Sequence, residues 1–297
     1  MSLSRLRTFI EVYRQRSISS AARSLNLTQP AVSQHISGLE VVIGRPLFLR
    51  SPSGVKPTAI ANELATDIGD KLDAAEAALA SIRARSMNIS GVLQIVGDAG
   101  FLSEVLTEKL LPLFQSGLKV RMHSGDVDLV TSMLLEGHCD LGVSAHPIVD
   151  SRLKSEKIYT SRVLPVASPA VAERLTSASN FAKAIRAEPM LAYNLELTLI
   201  ERWLVKNKIS AEHLVPSLVS KDLRALRKLL IQGFGWSVIP EFLCRESMAK
   251  KEIVEIPSPV ATHDIHHHLI WLPSALNQVR VAHARQTLLT SLNCQVD

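Results

Sequence analysis

Gln29, Ser33, Gln34 and His35 crowd into one short stretch, and each is a hydrogen-bonding type that can meet the edge of a nucleobase. A glutamine amide can bond adenine at two points, a serine hydroxyl donates or accepts, and Pro30 beside them can touch a thymine methyl group. Thr28 opens the stretch as a helix N-cap. Pro30 falls in the first turn, where a missing N–H costs little. Downstream, Arg50 and Lys56 flank the turn chemistry of Ser51-Pro52-Ser53-Gly54. Two cations beside a hairpin tip suit phosphate oxygens or a minor groove.

Other residues of chemical interest form no comparable set. His263, Asp264, His266, His267 and His268 are dense enough for a zinc or nickel site to be considered. Neighbours in a strand point to opposite faces, however, so no metal is expected there. The cysteines, Cys139, Cys244 and Cys294, are three in number and far apart, which gives neither a disulfide framework nor a peroxide-sensing pair. Gly142-Val143-Ser144-Ala145-His146 lacks the second glycine of a nucleophile elbow, and Gly97 and Gly100 do not make a dinucleotide fingerprint. No acid–base constellation stands out, so neither catalytic residues nor a cofactor are expected.

The base-facing residues need a scaffold, and the flanking pattern supplies one. Leu3, Leu6, Phe9, Ile10 and Tyr13 recur at helical spacing. Ser19 or Ser20 can cap a second helix with Ala21, Ala22 and Leu25 inward. Asn26 suits a left-handed turn that Leu27 plugs, and Ala31, Val32, Ile36, Leu39, Val42 and Ile43 carry the apolar face of the third helix. Residues 44–58 read as a β-hairpin wing. From 58 to 86, Ile60, Leu64, Ile68, Leu72, Ala75, Leu79 and Ile82 form an apolar seam on one long helix. Pairing with the same helix of a second chain would bury that seam. Docking on its own body is the other solution.

Beyond Gly91, nine apolar strand candidates (92–96, 119–124, 141–145, 163–168, 189–194, 214–220, 236–239, 253–256 and 267–272) alternate with eight helix candidates (102–115, 126–137, 169–176, 179–187, 197–207, 222–232, 240–249 and 276–290). Such alternation implies parallel α/β layers. At 297 residues, two or three domains are expected, and 46% apolar against 21% charged residues excludes a disordered chain. No apolar run is long enough to span a bilayer and no apolar signal core opens the chain, so a cytoplasmic protein is expected. Charge is unevenly placed. Residues 1–60 carry eight Lys or Arg against two acidic side chains, whereas the rest carries 25 against 26. A basic module on a near-neutral body fits a phosphate-backbone binder attached to something else.

The stretch AARSLNLTQPAVSQHISGLEVVIGRPLFLR resembles the signature of LysR-type transcriptional regulators. It has the alanine pair, the TQPAVS helix start, the leucine–glutamate near its end and the Gly-x-x-Leu-Phe-x-Arg that follows. Gln34 stands where the family often has arginine, which implies another base preference. Thr58-Ala59-Ile60-Ala61 lacks the family's usual glycine. Looser matches, among them Leu110-Leu111-Pro112, Gly137–Leu141, Val166–Pro169 and Gly233–Pro240, extend the resemblance along the chain.

The resemblance implies an α+β multidomain protein with a winged helix-turn-helix (1–58), a linker helix for dimerisation (59–89; Ile60, Leu64, Ile68, Leu72, Leu79) and a two-lobed effector domain like periplasmic binding proteins (90–297). Lobe I would be 91–160 with 269–297, and lobe II 162–266, with crossovers near Tyr159–Val163 and Ile265–Leu269. Ligands in open α/β sheets bind at strand C-terminal ends. That rule nominates Asp98, Ala99, Gly100, Phe101, Gly125, Asp126, Ser144, His146, Tyr193, Asn194, Gly233 and Phe234. Asp98 and Asp126 would favour an amine-bearing effector, or would cap helices starting near 100 and 127.

The implied partners are double-stranded DNA with an interrupted palindrome, a small-molecule effector, further copies of the chain in a homodimer or a dimer-of-dimers tetramer, and RNA polymerase, with no membrane. Effector binding would close the lobes, shift the pairing of dimers in a tetramer and change the DNA bend. A periplasmic-type binding protein without a regulatory role is the alternative. An enzyme fused to a DNA-binding module is a third reading, which lacks its acid–base pair.

Overall fold

The computed structural model describes residues 3–25, 27–51, 54–86, 89–212, 214–257 and 263–293. Three helices open the chain: α1 (Leu3–Gln15), α2 (Ile18–Leu25) and α3 (Gln29–Ile43). They close on Phe9, Ile10, Val12, Ala21, Ala22, Val32, Ile36 and Leu39, and the alanines let α2 approach closely. Ser17, rather than Ser19 or Ser20, caps α2: its Oγ accepts the Ser20 N–H at 3.2 Å, which puts the cap one residue before Ile18. Leu27 does not plug the turn, being 38% exposed. Val42 leaves the expected apolar face of α3, and Val41 beside it is 80% exposed. Asn26 lies outside the described residues.

A two-stranded hairpin follows, β1 (Phe48–Ser51) with β2 (Gly54–Pro57), antiparallel. Pro52 and Ser53, between the strands, are outside the described residues. Two ties hold the hairpin to the helices. The Glu40 carboxylate of α3 accepts the Leu47 and Phe48 N–H groups at 2.7 and 3.3 Å. The Val55 N–H donates to the Arg16 carbonyl at 2.9 Å. Gly54 is required at that second tie. Its φ is +126°, and a Cβ there would lie 2.3 Å from the Arg16 oxygen.

Helix α4 (Ala59–Ser86) is the long helix that the seam demands. The structure corrects what covers the seam. Ala61 and Leu72 are buried in the core of the first three helices, and Ile60, Leu64 and Ile68 pack against the same core. Asp73 of α4 accepts from Arg7 at 2.9 Å and from Arg14, both on α1. The first half of the seam is therefore satisfied within one chain, because α1 offers an apolar face of matching length. The Leu79 side chain lies outside the described residues.

The rest of the chain builds a nine-stranded sheet among the described residues, in the order β4-β3-β5-β11-β6-β9-β7-β8, with β10 on β6. The strands are β3 (Gly91–Gly97), β4 (Leu118–Ser124), β5 (Leu141–Ser144), β6 (Lys154–Ala167), β7 (Met190–Ala192), β8 (Leu218–Val219), β9 (Trp236–Pro240), β10 (Val254–Glu255) and β11 (Asp264–Trp271). Its flanks are parallel, β3 with β4 and β5, and β7 with β8 and β9. Its middle is antiparallel, because β6 and β11 run through both halves.

Strand β6 begins at Lys154, well before the Val163 expected. Its first half alternates charged and polar residues with Ile158, so no apolar run marks it. Strand β11 likewise begins at Asp264 rather than His267. Its register with β6 slips between His267 and His268, a bulge where the pair passes from one half to the other. Strand β8 keeps only two residues of the 214–220 candidate.

Helices cover both faces. The expected helix 102–115 is a broken series: α5 (Ala99–Phe101), a π turn at Leu102–Leu106, a 3₁₀ turn at Thr107–Lys109, then α6 (Leu111–Gln115). Pro112, with no N–H to give, sits where α6 restarts. The others are α7 (Val127–Leu135), α8 (Pro169–Thr176), α9 (Phe181–Ala187), α10 (Thr198–Lys206), α11 (Leu223–Ile231), α12 (Glu241–Ala249) and α13 (Val279–Asn293). One core gathers under β3–β5 and spreads across β6, a second around Trp203 and Trp236. Helix α13 lies along α4.

Candidate nucleic-acid interface and ligand cleft

Thr28 is the N-cap of α3, its Oγ1 accepting the Ala31 N–H at 3.3 Å, and Pro30 sits in the first turn. From there Pro30, Gln34, Ser37 and Val41 fall three or four apart and stand exposed, with Thr28 and Gln29 exposed beside them. Ser33 is half-buried at the edge of this stripe. Ser37 and Val41 were not singled out from the sequence, although their spacing from Gln34 carried the signal.

His35 leaves the stripe and turns toward α1. Thr8 Oγ1 lies 2.9 Å from the Ser4 carbonyl and 2.8 Å from His35 Nδ1. Each contact needs one hydrogen. The carbonyl brings none and the hydroxyl brings one, so the hydroxyl donates to Ser4 and His35 donates from Nδ1. With that hydrogen on Nδ1, Nε2 is the ring nitrogen left for another partner.

Arg50 and Lys56 are exposed on the hairpin, but not as a pair on one side. Arg50 stands opposite Val55 and Lys56 opposite Leu49, which puts the two cations on opposite faces of the ribbon. Phe48 anchors the hairpin, its ring centroid 5.6 Å from that of Phe9.

A cleft of about 330 Å³ opens beside β6 and β11. Asp98, Gly125, Asp126, Ser144, His146 and Tyr193 line it, as the strand-end rule expects. The other nominated residues do not line it. Phe101 is fully buried, its ring stacked on His267 at 4.0 Å. Gly100 is buried against Leu243, and Ala99 lies in the first turn beside it. Asn194 is spent on α10, accepting the Thr198 N–H at 3.0 Å and donating to the Thr198 hydroxyl at 2.6 Å. Gly233 and Phe234 sit at the C-terminal end of α11, where their N–H groups bond Leu230 and Leu229, ahead of β9. That is the start of the strand. The cleft takes its far end instead, with Pro240 and Phe242.

The cleft also takes in Thr198, Leu199 and Arg202 of α10, Leu223, and the whole run Asp264–His268. The histidine run thus belongs to the cleft wall. No group of three or more His, Cys, Asp or Glu side chains among the described residues is placed to share a metal ion.

Electrostatics in the cleft follow from burial. Asp98 caps α5, accepting the Phe101 N–H at 2.9 Å, yet desolvation pushes its carboxyl above the usual range. Asp126 caps α7 and pairs with Lys221 at 2.6 Å, which holds its carboxyl below that range. Burial lifts the Tyr193 phenol. His267, 2% exposed and ringed by Phe101, Tyr159 and Phe242, is held down at about 3 and stays neutral. Its Nδ1 is buried with no partner. Cys139 and Cys244 are buried, and desolvation pushes their thiols up to about 11 and about 12. They stay protonated and inert near neutrality. Cys294 lies outside the described residues.

Residues 3–62 match the family model described as bacterial regulatory helix-turn-helix protein, lysR family, and residues 102–293 match LysR substrate binding domain. Among characterised relatives, the transcriptional regulator AbaB of Streptomyces antibioticus is 30% identical, with 97% of each chain covered. The probable cat1 operon transcriptional activator of Acinetobacter lwoffii is 26% identical over 95% of this chain and 90% of its own. In fold the chain is similar to CrgA, a LysR-type transcriptional regulator from Neisseria meningitidis (TM-score 0.60, 19% identity, 98% and 99% covered). It is also similar to Vibrio fischeri DarR, solved in complex with DNA (TM-score 0.53, 19% identity, 100% and 99% covered).

Proposed function

The chain belongs to the LysR family of transcriptional regulators, with a DNA-binding helix-turn-helix module and an effector-binding domain, and on that premise we propose how its surfaces divide the work. Helix α3 enters the major groove, with Thr28, Gln29, Pro30, Ser33 and Gln34 toward the bases. His35 reaches the edge of that surface through Nε2. Arg50 and Lys56, on opposite faces of the hairpin, contact phosphates to either side. The observation that carries this reading is the exposed stripe of α3 on a closed apolar core: polar residues at helical spacing, held by a cap and a wing tie, are of use only to something outside the chain. A binding protein without a regulatory role has no need of it.

A homodimer or a dimer of dimers, in the cytoplasm, places two such helices on a two-fold axis over an interrupted palindrome. Both ends of the sheet support assembly. The edge strand β4 and α6 expose Met122, Leu111 and Phe114, and the β8 edge exposes Val215 and Val219. Open apolar edges invite cover by another copy. A small molecule in the cleft closes the two halves about β6 and β11, changes the spacing of the helices, and so alters contact with promoters and RNA polymerase.

Selection of duplexes from a random library by the full chain tests the reading. It should enrich a two-fold motif with half-sites about one helical turn, or a few turns, apart. Gln34→Ala should relax one base pair in each half-site by about 1–3 kcal/mol. A motif unchanged by Gln34→Ala would overturn the placement of α3.

A further inference from the structure

We propose that the cleft takes a small molecule carrying a protonated amine on an apolar body, with the Asp98 carboxylate as its counter-ion. This rests on the reading of the cleft as the effector site. Asp98 and Asp126 line the β3 end of the cleft, and Asp222 lies near enough to bear on Asp98, with Lys221 and Arg224 beside the three carboxylates. Lys221 pairs with Asp126 at 2.6 Å and Arg224 with Asp222 at 2.9 Å. Both cations are spent, and Asp98 has no ion pair among the described residues. One of its oxygens accepts the Phe101 N–H at 2.9 Å. The Phe101 and Gly100 N–H groups and the more distant charge of Arg224 offset only part of its desolvation, and burial still lifts its protonation. A cation delivered by the ligand restores the balance.

The walls decide the rest of the molecule. Val143, Leu199, Leu223, Phe242 and Ile265 line the cleft and suit an aliphatic or aromatic body. A second unsatisfied group lies in the same lining. His267 is 2% exposed, neutral, and has an Nδ1 with no partner. With the ring hydrogen on Nε2, Nδ1 is an acceptor that an ammonium N–H, a donor only, can answer directly or through water. The opposing charge in the cleft is Arg202, on α10. It stands at an exposed position where water solvates it, so it demands an anion far less than Asp98 demands a cation.

Thermal unfolding and calorimetry of the full chain test the proposal. The probes are alkylamines from propylamine to hexylamine and the matching carboxylates, applied to the wild type, Asp98→Asn and Arg202→Gln. Asparagine keeps an acceptor for the Phe101 N–H and removes only the charge, so the unliganded melting temperature of Asp98→Asn checks that the fold is intact. The amines should raise the wild-type melting temperature, more with longer chains, and the carboxylates should not. Asp98→Asn should bind the amines about 10- to 100-fold more weakly, and Arg202→Gln should bind them as the wild type does.

Failure of every amine to stabilise the wild type overturns the proposal. So does stabilisation by carboxylates that survives Asp98→Asn and is lost in Arg202→Gln, although that result leaves the effector reading standing. The effector reading falls separately, if no compound that stabilises the chain changes its affinity for duplex DNA.

Discussion

On α3 the side chains of Gln29, Pro30, Gln34 and Ser37 stand in solvent over a core closed by Phe9, Val32 and Leu39. In the cleft, Asp98, Tyr193 and His267 are polar groups drawn out of water, with their protonation shifted by that burial. The two surfaces suit different partners. A duplex arrives large, hydrated and charged, and is met by projecting side chains on a rigid support, with cations for the phosphates. A small molecule has little surface to offer, so its site must hold unsatisfied groups in advance and gain by satisfying them. The N-terminal unit is closed by contacts among residues 6–73, whereas the cleft draws on segments from residue 98 to residue 268.

The sharpest way to break this contrast lies where the two regions are joined. Leu72 of α4 is 7% exposed in the core of the helix-turn-helix. Leu72→Asp removes that packing and buries a charge, and should destabilise the N-terminal unit by about 4 kcal/mol or more in urea unfolding. An unchanged urea midpoint with a halved mass in light scattering would return the seam to a partner copy.

Next comes the tie between α3 and the wing. Glu40→Ala leaves the Leu47 and Phe48 N–H groups without their acceptor, and should cost about 1.5–3 kcal/mol while weakening binding to every duplex. If stability and affinity both stay put, the wing is held by Phe48 packing alone.

Acid unfolding sharpens the cleft side. The ordinary imidazole value is 6.5, and burial holds His267 down at about 3. Below 6.5 the unfolded chain takes up a proton that the folded chain refuses. Stability is thus lost as pH falls from 6.5 toward 3, by about 1.4 kcal/mol per pH unit for this group. His267→Phe, stacking on Phe101 without a titrating nitrogen, should flatten that acid limb. An acid limb of unchanged slope would mean that His267 is not held neutral.

The smallest effect is expected at the hairpin. Arg50→Ala should weaken all duplexes alike and lower the slope of log K against log salt by about 1. A change in base preference instead would make Arg50 a reader of sequence.

The two regions also differ in how far they could be read from the residues alone. The helix-turn-helix was legible because its signals are local: apolar spacing in α1, the alanine pair in α2, Thr28 and Pro30 at the start of α3. What was missed there depended on packing, as with His35, which looks like its neighbours in sequence but bonds Thr8 of another helix.

The cleft was half legible. A strand-end rule finds Asp98 and Asp126, one and two residues past β3 and β4, and Ser144, the last residue of β5. It fails at Gly233 and Phe234, where a glycine-rich turn begins a strand instead of ending one. It also gives no hint of His266 to His268, because only the antiparallel return of β11 through the middle of the sheet brings them to the site. Periodicity could not find the first half of β6 for a related reason, since Lys154–Lys157 alternate only between half-buried and exposed and hold their place by pairing with β11.

The central claim is that α3 and its flanking cations hold the chain on DNA. The direct measurement is fluorescence anisotropy of a selected duplex titrated with the full chain across a range of salt concentrations. Log K should fall linearly with log salt, and Gln34→Ala should lower affinity for the selected duplex without changing that slope. Binding indifferent to salt, or no binding to any duplex, would contradict it.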